Sequence, residues 1–364
     1  MSDYTPTRLL SRRVVAGMLL ACVLVLAGCK RGSSRNVEVA YVSAPQVNLR
    51  DRVAAVYNKT GTARNGEKVE ILEKSRRNFV RVKTARGEAG WMEQRYLVDA
   101  DTYNGFLKLG KDNAGAIVQA RGTTRASLNM HLAPGRDTEH LFQLRDQEKL
   151  EILRRTTAEK PQAPRPPAPR ERAESVPKTR AAAKKETAPA PVPQLEDWLL
   201  VRDSERHTGW VLSRMVDVDA PLEIAQYAEG QRIVAYFVLD EATDADKKVA
   251  EYLVLLTEPR DGLPFDFNQA RVFTWNLKRH RYETAYRERK LEGVFPARVG
   301  KEEFGKEGVL PTFTLPVRVE DGSVTERKYK LNGPIVRRVL SPEEQTKIKP
   351  TTPKAGSARS RRSR

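Results

Sequence analysis

Short runs in which apolar and polar residues alternate with a period of two dominate the chain, the pattern of strands that bury one face. "VRVKT" at 80–84 alternates in this way, and "VEIL" at 69–72 and "LEIL" at 150–153 alternate or run apolar. Gly90-Trp91 and Gly209-Trp210 each enter a further strand after a polar hairpin, "TARGEA" or "DSERHT". Trp91 and Trp210 follow tight turns and are expected to point into the cores. Further along, "QRIVAYFVLDEAT" and "KKVAEYLVLLTEP" read as strands, the second with a short helical lead over 244–252. "RVFTWNL" and "YETAYRERKLEGVF" read as a hairpin pairing Leu277 with Tyr282, Trp275 with Thr284 and Phe273 with Tyr286, with three aromatics on one face. "TFTLPVRVEDGSVTERKYKL" is another hairpin, its turn marked by Asp321-Gly322.

The strand pattern repeats. Aligning the two glycine-tryptophan pairs places Val82 on Val201 and Phe79 on Trp198, and upstream "VNLR" (47–50) matches "LNMH" (128–131). "EKVEIL" (67–72) matches "EKLEIL" (148–153), and Asn48 to Val69 and Asn129 to Leu150 are both steps of 21 residues. The chain therefore carries one module twice. At about 60 residues a module is a small all-β barrel with a marginal core.

The order of these signals, an L-N-x-R-like start, a G-E-x-V-x-I-L middle, a W/F-x-x-V hairpin and G-W, resembles the bacterial SH3-like domain family. The resemblance covers 37–100 and 116–219, with His131 in the place of the usual arginine and no glycine before Glu148. It implies a peptide ligand, often the stems or bridges of peptidoglycan. In such barrels positions like Tyr57, in the loop "AAVYNKTGTARNG", and Tyr96, near the exit strand, line a peptide groove; ordinary packing is the alternative.

The second copy is interrupted. Ile71 to Phe79 spans 8 residues, whereas Ile152 to Trp198 spans 46, so 38 extra residues sit inside a hairpin. The stretch 156–194 is dense in Pro, Ala, Lys, Arg and Glu and is expected to be disordered, because it cannot bury enough apolar surface to offset the entropy of ordering. Its role is spacing, contact with an acidic polymer, or that of a tolerated insertion. Residues 101–115 read as a polar linker, 221–340 as a β-sandwich or small β-barrel that resembles no recognised family, and 341–364 as a disordered basic tail. The expected fold class is all-β: two small SH3-like barrels followed by that third β domain.

Among the 364 residues Lys and Arg outnumber Asp and Glu by 65 to 47, a net charge of +18 that suits an acidic partner such as nucleic acid, anionic lipid or wall polymer. The N-terminus narrows the choice. Arg8, Arg12 and Arg13 precede the apolar run Val14 to Leu26, the order of a secretory signal peptide at 1–28, too short to span a bilayer. Its end, Leu26-Ala27-Gly28-Cys29, resembles the bacterial lipobox, which implies lipidation of Cys29 and a tether at 29–36. Acyl chains contribute about 0.8 kcal/mol per buried methylene, so two or three of them anchor a protein firmly. Export argues against nucleic acid. Lys30 stands where an aspartate would favour inner-membrane retention, so a periplasm-facing, outer-membrane anchor is expected in a cell that has one.

Candidate catalytic chemistry is sparse. The two cysteines are Cys22, inside the signal, and Cys29, so a mature chain would have no thiol for nucleophilic or metal chemistry. Within 221–340 there is one histidine, His280, and one serine, Ser323, in a hairpin turn with nothing local to orient the pair. The four histidines, His131, His140, His207 and His280, are scattered, which suggests no metal site and no cofactor. Paired carboxylates for glycoside hydrolysis would have to come from Glu258, Asp261, Asp266, Glu283 and Glu292, whose spacing brings no two together. The expected function is that of a non-catalytic envelope lipoprotein binding peptidoglycan or peptides through its tandem modules. The alternative is a periplasmic scaffold or assembly protein whose domains bind envelope protein partners only.

Overall fold

The computed structural model describes residues 38–53, 58–161 and 193–341; Cys29 and the signal and tether around it, Tyr57, most of the insert and the basic tail lie outside them. The described chain is mostly antiparallel β, in three sheets. The first module comprises β1 (Val39–Val42), β2 (Gln46–Arg50), β3 (Lys59–Arg64), β4 (Lys68–Lys74), β5 (Phe79–Thr84), β6 (Ala89–Glu93) and β7 (Leu97–Asp99). The second comprises β8 (Ala120–Thr124), β9 (Leu128–His131), β10 (His140–Leu144), β11 (Lys149–Glu159), β12 (Leu195–Arg202), β13 (Thr208–Leu212) and β14 (Val216–Val218). The strand orders, β3-β2-β6-β5-β4-β1-β7 and β10-β9-β13-β12-β11-β8-β14, are the same order strand for strand. Even the bulges recur, between Ile71 and Glu73 in one copy and between Ile152 and Arg154 in the other.

The tryptophans sit one residue out of phase with the expectation. Val82 pairs with Gly90 in the first core, and a Cβ on Gly90 would come within 2.4 Å of Thr60 Oγ1 and 2.8 Å of Leu49 Cβ. Because that crowded inward position is Gly90, the alternation sends Trp91 outward and Met92 inward, where it is 2 % exposed. In the second copy Val211 takes the inward place, and Trp210 joins Trp198, Leu153 and Leu200 in a cluster on the outer face.

That outer face distinguishes the copies. In the second it is covered by Leu109, Ala116, Val118 and Ala158, and Leu153 is 4 % exposed. In the first, Leu72 at the matching position is 49 % exposed, and Arg81 replaces Leu200 as the strand neighbour of the tryptophan.

The segment expected to be a linker is a helix, α1 (Ala100–Asp112). Asp99 caps it by accepting from the Thr102 amide at 2.7 Å. Phe106 enters the second core and meets Phe142 edge-on, with centroids 5.4 Å apart, while Tyr103 stacks on Tyr41 of the first module at 3.7 Å. Gly105 permits the close approach, since a Cβ there would stand 2.8 Å from Leu132. Two glycines and a polar majority hid an apolar spacing, Tyr103, Phe106 and Leu109, that fits a helix face.

The third domain begins at α2 (Leu222–Ala225) and continues through β15 (Arg232–Asp244), β16 (Lys247–Thr257), β17 (Phe267–Asn276), β18 (Arg281–Gly293), β19 (Arg298–Glu303), β20 (Val309–Arg318), β21 (Val324–Asn332) and β22 (Ile335–Val339). All eight strands join one sheet, in the order β15-β16-β17-β18-β20-β21-β22 with β19 against β20. Only Gly293↔Val317 links β18 to β20, and there the sheet turns over into a half-barrel. Phe237, Leu253 and Phe267 from one half pack with Phe313, Leu315 and Tyr329 from the other. The helical lead over 244–252 is instead a tight hairpin, Asp244↔Lys247, turned at Ala245 with φ 52°. The β17–β18 register also differs: Asn276 caps the turn by accepting from the amides of Lys278 and Arg279, so Trp275 pairs with Tyr282. The same register pairs Phe273 with Thr284, and a shift at Val272/Phe273 then pairs Val272 with Tyr286, which packs against the interior.

The insert begins later than expected. Residues 156–159 are strand, paired as far as Glu159↔Leu195, so the hairpin runs on past the module and lies against the third domain. At its root Arg155 donates to Asp197 at 2.5 Å and to the carbonyls of Leu263 and Phe265 at 3.2 and 2.8 Å. Arg232 donates to the other oxygen of Asp197 at 2.9 Å, and the Gly262 amide donates at 2.9 Å to the oxygen that Arg155 holds. Gln119, fully buried, exchanges hydrogen bonds with the Ala297 backbone, the amide of Ala297 donating at 2.8 Å.

Asp197 is 0 % exposed, and losing one partner of a buried pair costs about 3–5 kcal/mol. Arg155→Met is therefore expected to lower the unfolding midpoint and to make the joint to the third domain sensitive to limited proteolysis. Adding Asp197→Leu should not restore it, because the Leu263 and Phe265 carbonyls still lack their donor and Arg232 and the Gly262 amide then lose their acceptor; denaturant melts of the single and double variants check it.

Candidate binding cleft at the seam of the modules

The two copies meet edge to edge through one amide. Asn65, in the turn after β3, donates to the Leu141 carbonyl at 2.7 Å and accepts from the Gln143 amide at 3.2 Å, so it reads the second module's backbone as a strand would. The same nitrogen also reaches the carbonyls of Val42 and Ser43, which fixes the turn to its own module. Each copy builds this turn alike. The Arg64 amide donates to Glu67 at 3.0 Å and the Arg145 amide to Glu148 at 2.7 Å, while Gly66 and Gln147 both take left-handed backbone, φ 73° and 57°. Gln147 thus adopts the conformation of the glycine that the second copy lacks.

Beside this contact opens a cleft of about 730 Å³ walled by both modules and α1. Tyr103, Phe142 and His207 supply aromatic surface, with His207 stacked on Phe142 at 3.8 Å and 19°. Arg64 and Arg145 bring positive charge, and Glu148, Asp203 and Glu205 bring negative. His207 is positioned by Asp203, which accepts from its backbone amide at 2.8 Å and pairs with Nδ1 at 2.9 Å. That hydrogen bond raises the imidazole above its ordinary pKa against the opposing effect of burial. An aromatic floor with both signs of charge suits a peptide carrying free amino and carboxylate groups.

The residues singled out from the sequence lie elsewhere. Tyr96 is half-buried against the first core, its hydroxyl accepting from Arg95 at 2.9 Å with the guanidinium 4.9 Å from the ring centroid. Tyr57 and Cys29 fall outside the described residues. His131 packs edge-on to Trp198 with centroids 5.2 Å apart and bonds to Thr138, and burial lowers its pKa. Of the five acids weighed for hydrolysis, Asp266 binds Arg155, Asp261 binds Arg232, and Glu283 holds Asn276 and two arginines. Only Glu258 and Glu292 border a common cavity. Among the described residues no cluster of three or more His, Cys, Asp or Glu is arranged to hold a metal ion.

The cleft was not foreseen, because its residues are up to 162 positions apart, from Pro45 to His207. The one sequence signal for it is the repeated turn, "RNGEK" and "RDQEK", whose two copies border the same opening.

Residues 45–98, within the first module, match the bacterial SH3 domain family. No curated protein matches the chain. Among solved structures it is similar to NlpC2 from Trichomonas vaginalis at 9 % identity and a TM-score of 0.16, over 51 % of this chain and 49 % of that one. It is likewise similar to NlpC1 from the same organism at 8 % identity and a TM-score of 0.17, over 81 % and 89 %. The chain thus spans about half the length of the first of these, and likeness at such scores does not establish a common fold or activity.

The shift of His207 has a pH signature. A histidine whose folded pKa is raised contributes stability that is fully present below about pH 6.5 and is lost as pH rises through the raised value. His131, with a lowered pKa, acts oppositely and costs stability as pH falls from 6.5 through its lowered value. His207→Gln is therefore expected to destabilise by about 1 kcal/mol more at acid than at alkaline pH. Denaturant melts at about pH 5.5 and 8.5 measure the difference.

Proposed function

We propose that the protein is a non-catalytic, membrane-anchored component of the bacterial cell envelope that binds peptides through two SH3-like modules, with the stem peptides of peptidoglycan as the ligand class. The bacterial SH3 match over residues 45–98 supports an envelope role. Identical strand order and a recurring bulge support reading the second module as another SH3-like copy. The observation that carries the proposal is the cleft at the seam, to which each copy contributes a wall and one arginine, Arg64 or Arg145. Duplication then has a purpose, because neither module has the site alone.

Among the described residues no helix is long and apolar enough to cross a membrane. The proposed anchor is a lipid on Cys29, facing the periplasm, supported by the lipobox-like Leu26-Ala27-Gly28-Cys29. Cys29→Ser is expected to move the protein from the membrane fraction to the soluble fraction on cell fractionation. Persistence in the membrane would argue against the lipid.

Co-sedimentation with purified sacculi tests the ligand. The full chain should bind in about 0.15 M salt, where exposed charges separated by more than about 8 Å are screened. Arg64→Gln with Arg145→Gln and His207→Ala should weaken binding roughly tenfold, about 1.4 kcal/mol. Failure of the full chain to bind would favour a scaffold role with protein partners only.

A further inference from the structure

Strands β17 and β18 of the third domain set like charges face to face. Arg271 and Arg287 are direct register partners, and Gln269 and Arg289 form the next pair on the same face, an arrangement that repels unless an anion intervenes. Arg271 is 1 % exposed. Its terminal nitrogens donate to the Tyr227 carbonyl at 2.5 Å and to Glu229 at 2.9 Å, and its Nε–H has no acceptor. Glu229, which bridges Arg271 and Arg287, is the acid between them. Burial, followed by the nearness of Arg287 and Arg289, lowers the pKa of Arg271.

Arg271 and Arg289 border a cavity of about 580 Å³ that Lys290 also lines. Lys290 begins a bulge: between Gln269↔Arg289 and Phe267↔Gly293, three residues of β18 face one of β17. It takes left-handed backbone, φ 57°, which a lysine adopts only when its surroundings hold it there. Bulges of this kind re-aim side chains. Among the described residues Lys290 has no ion-pair or hydrogen-bond partner, and Arg289 has one long contact, to Gln269 at 3.3 Å. Three acids, Glu229, Glu258 and Glu292, line the cavity with Arg271, Arg289 and Lys290, but two of them are already engaged. Glu229 is shared by Arg271 and Arg287, and Glu258 accepts from Arg260 at 2.8 Å, which leaves Glu292 to face Arg289 and Lys290. A second cavity, about 820 Å³, shares Lys290 and Glu292 and is lined by Arg318 and Arg327 together with Glu320 and Asp321, so it offers no excess of positive charge.

We propose that this cavity binds a phosphate group, with Arg289 and Lys290 as ligand-facing donors beside Arg271. Forked guanidinium groups and a lysine converging from two strands match the several oxygens and the charge of a phosphate. The cavity lies on the third domain, apart from the peptide cleft, and does not rest on the function proposed for that cleft.

The test is titration of the full chain with inorganic tripolyphosphate by calorimetry, together with sedimentation on phosphatidylglycerol vesicles against phosphatidylcholine vesicles. Arg289→Gln with Lys290→Gln should weaken binding at least tenfold at an unchanged melting temperature, with tail and insert identical in both proteins. Lys290→Gly, which suits the left-handed backbone, should also lose affinity without losing stability. Variant-sensitive binding to tripolyphosphate alone assigns a free or polymeric phosphate; variant-sensitive binding to phosphatidylglycerol vesicles assigns a lipid headgroup. Equal binding by parent and variants, or none to either probe, overturns the proposal.

Discussion

A single buried carboxylate organises the junction on which the second half of the molecule depends. Asp197 accepts from Arg155, Arg232 and the Gly262 amide while fully shielded from water. An isolated charge there would cost several kcal/mol; three donors, two of them cationic, make it tolerable. The pair that carries it, β11 and β12, is also the pair that the insertion interrupts. Residues 156–159 and 195–198 extend the hairpin beyond the length of its counterpart in the first module, and Leu195 reaches within 3.0 Å of a Cβ built on Gly262. Lengthening one hairpin thus supplied both the exit of the insert and a contact with the third domain.

The junction between the modules works by a different principle. Asn65 substitutes for a strand edge, meeting the donor and acceptor of Gln143 and Leu141 with one planar amide. Helix α1 adds apolar contact through Phe106 and Tyr103, each anchored to a different module. Hydrogen bonding sets the register of the two copies, and aromatic packing keeps them together. The cleft follows from that register, since its walls are turns that only this placement brings opposite each other.

Strand periodicity and the 21-residue steps made the repeat legible without coordinates, because both signals are local. What escaped depended on contacts between distant residues. The phase of Trp91 is set by crowding at Gly90 from Thr60 and Leu49, on strands up to 41 residues upstream. Helix α1 is stabilised by the second core, which it enters through Phe106 and which the strands otherwise build, so its own composition resembles a linker. The ends of the insert were misplaced because the threonines at 156 and 157 are polar, yet β-branched and paired with Trp198 and Asp197. Cleft and cationic cavity alike are assembled across strands and turns, where spacing along the chain carries little information.

The two modules share a fold but not a solvent. Outward positions filled by Arg50, Arg81 and the half-exposed Leu72 in the first copy are filled by His131, Leu200 and the buried Leu153 in the second. Their inward positions stay apolar in both, as Val82 and Val201 or Met92 and Val211 do. A duplicated unit that acquires a neighbour exchanges water for protein on one face only, so its sequence diverges there while its interior is held. Arginine against leucine at a single outward position therefore distinguishes the docked copy from the wetted one, whichever came first.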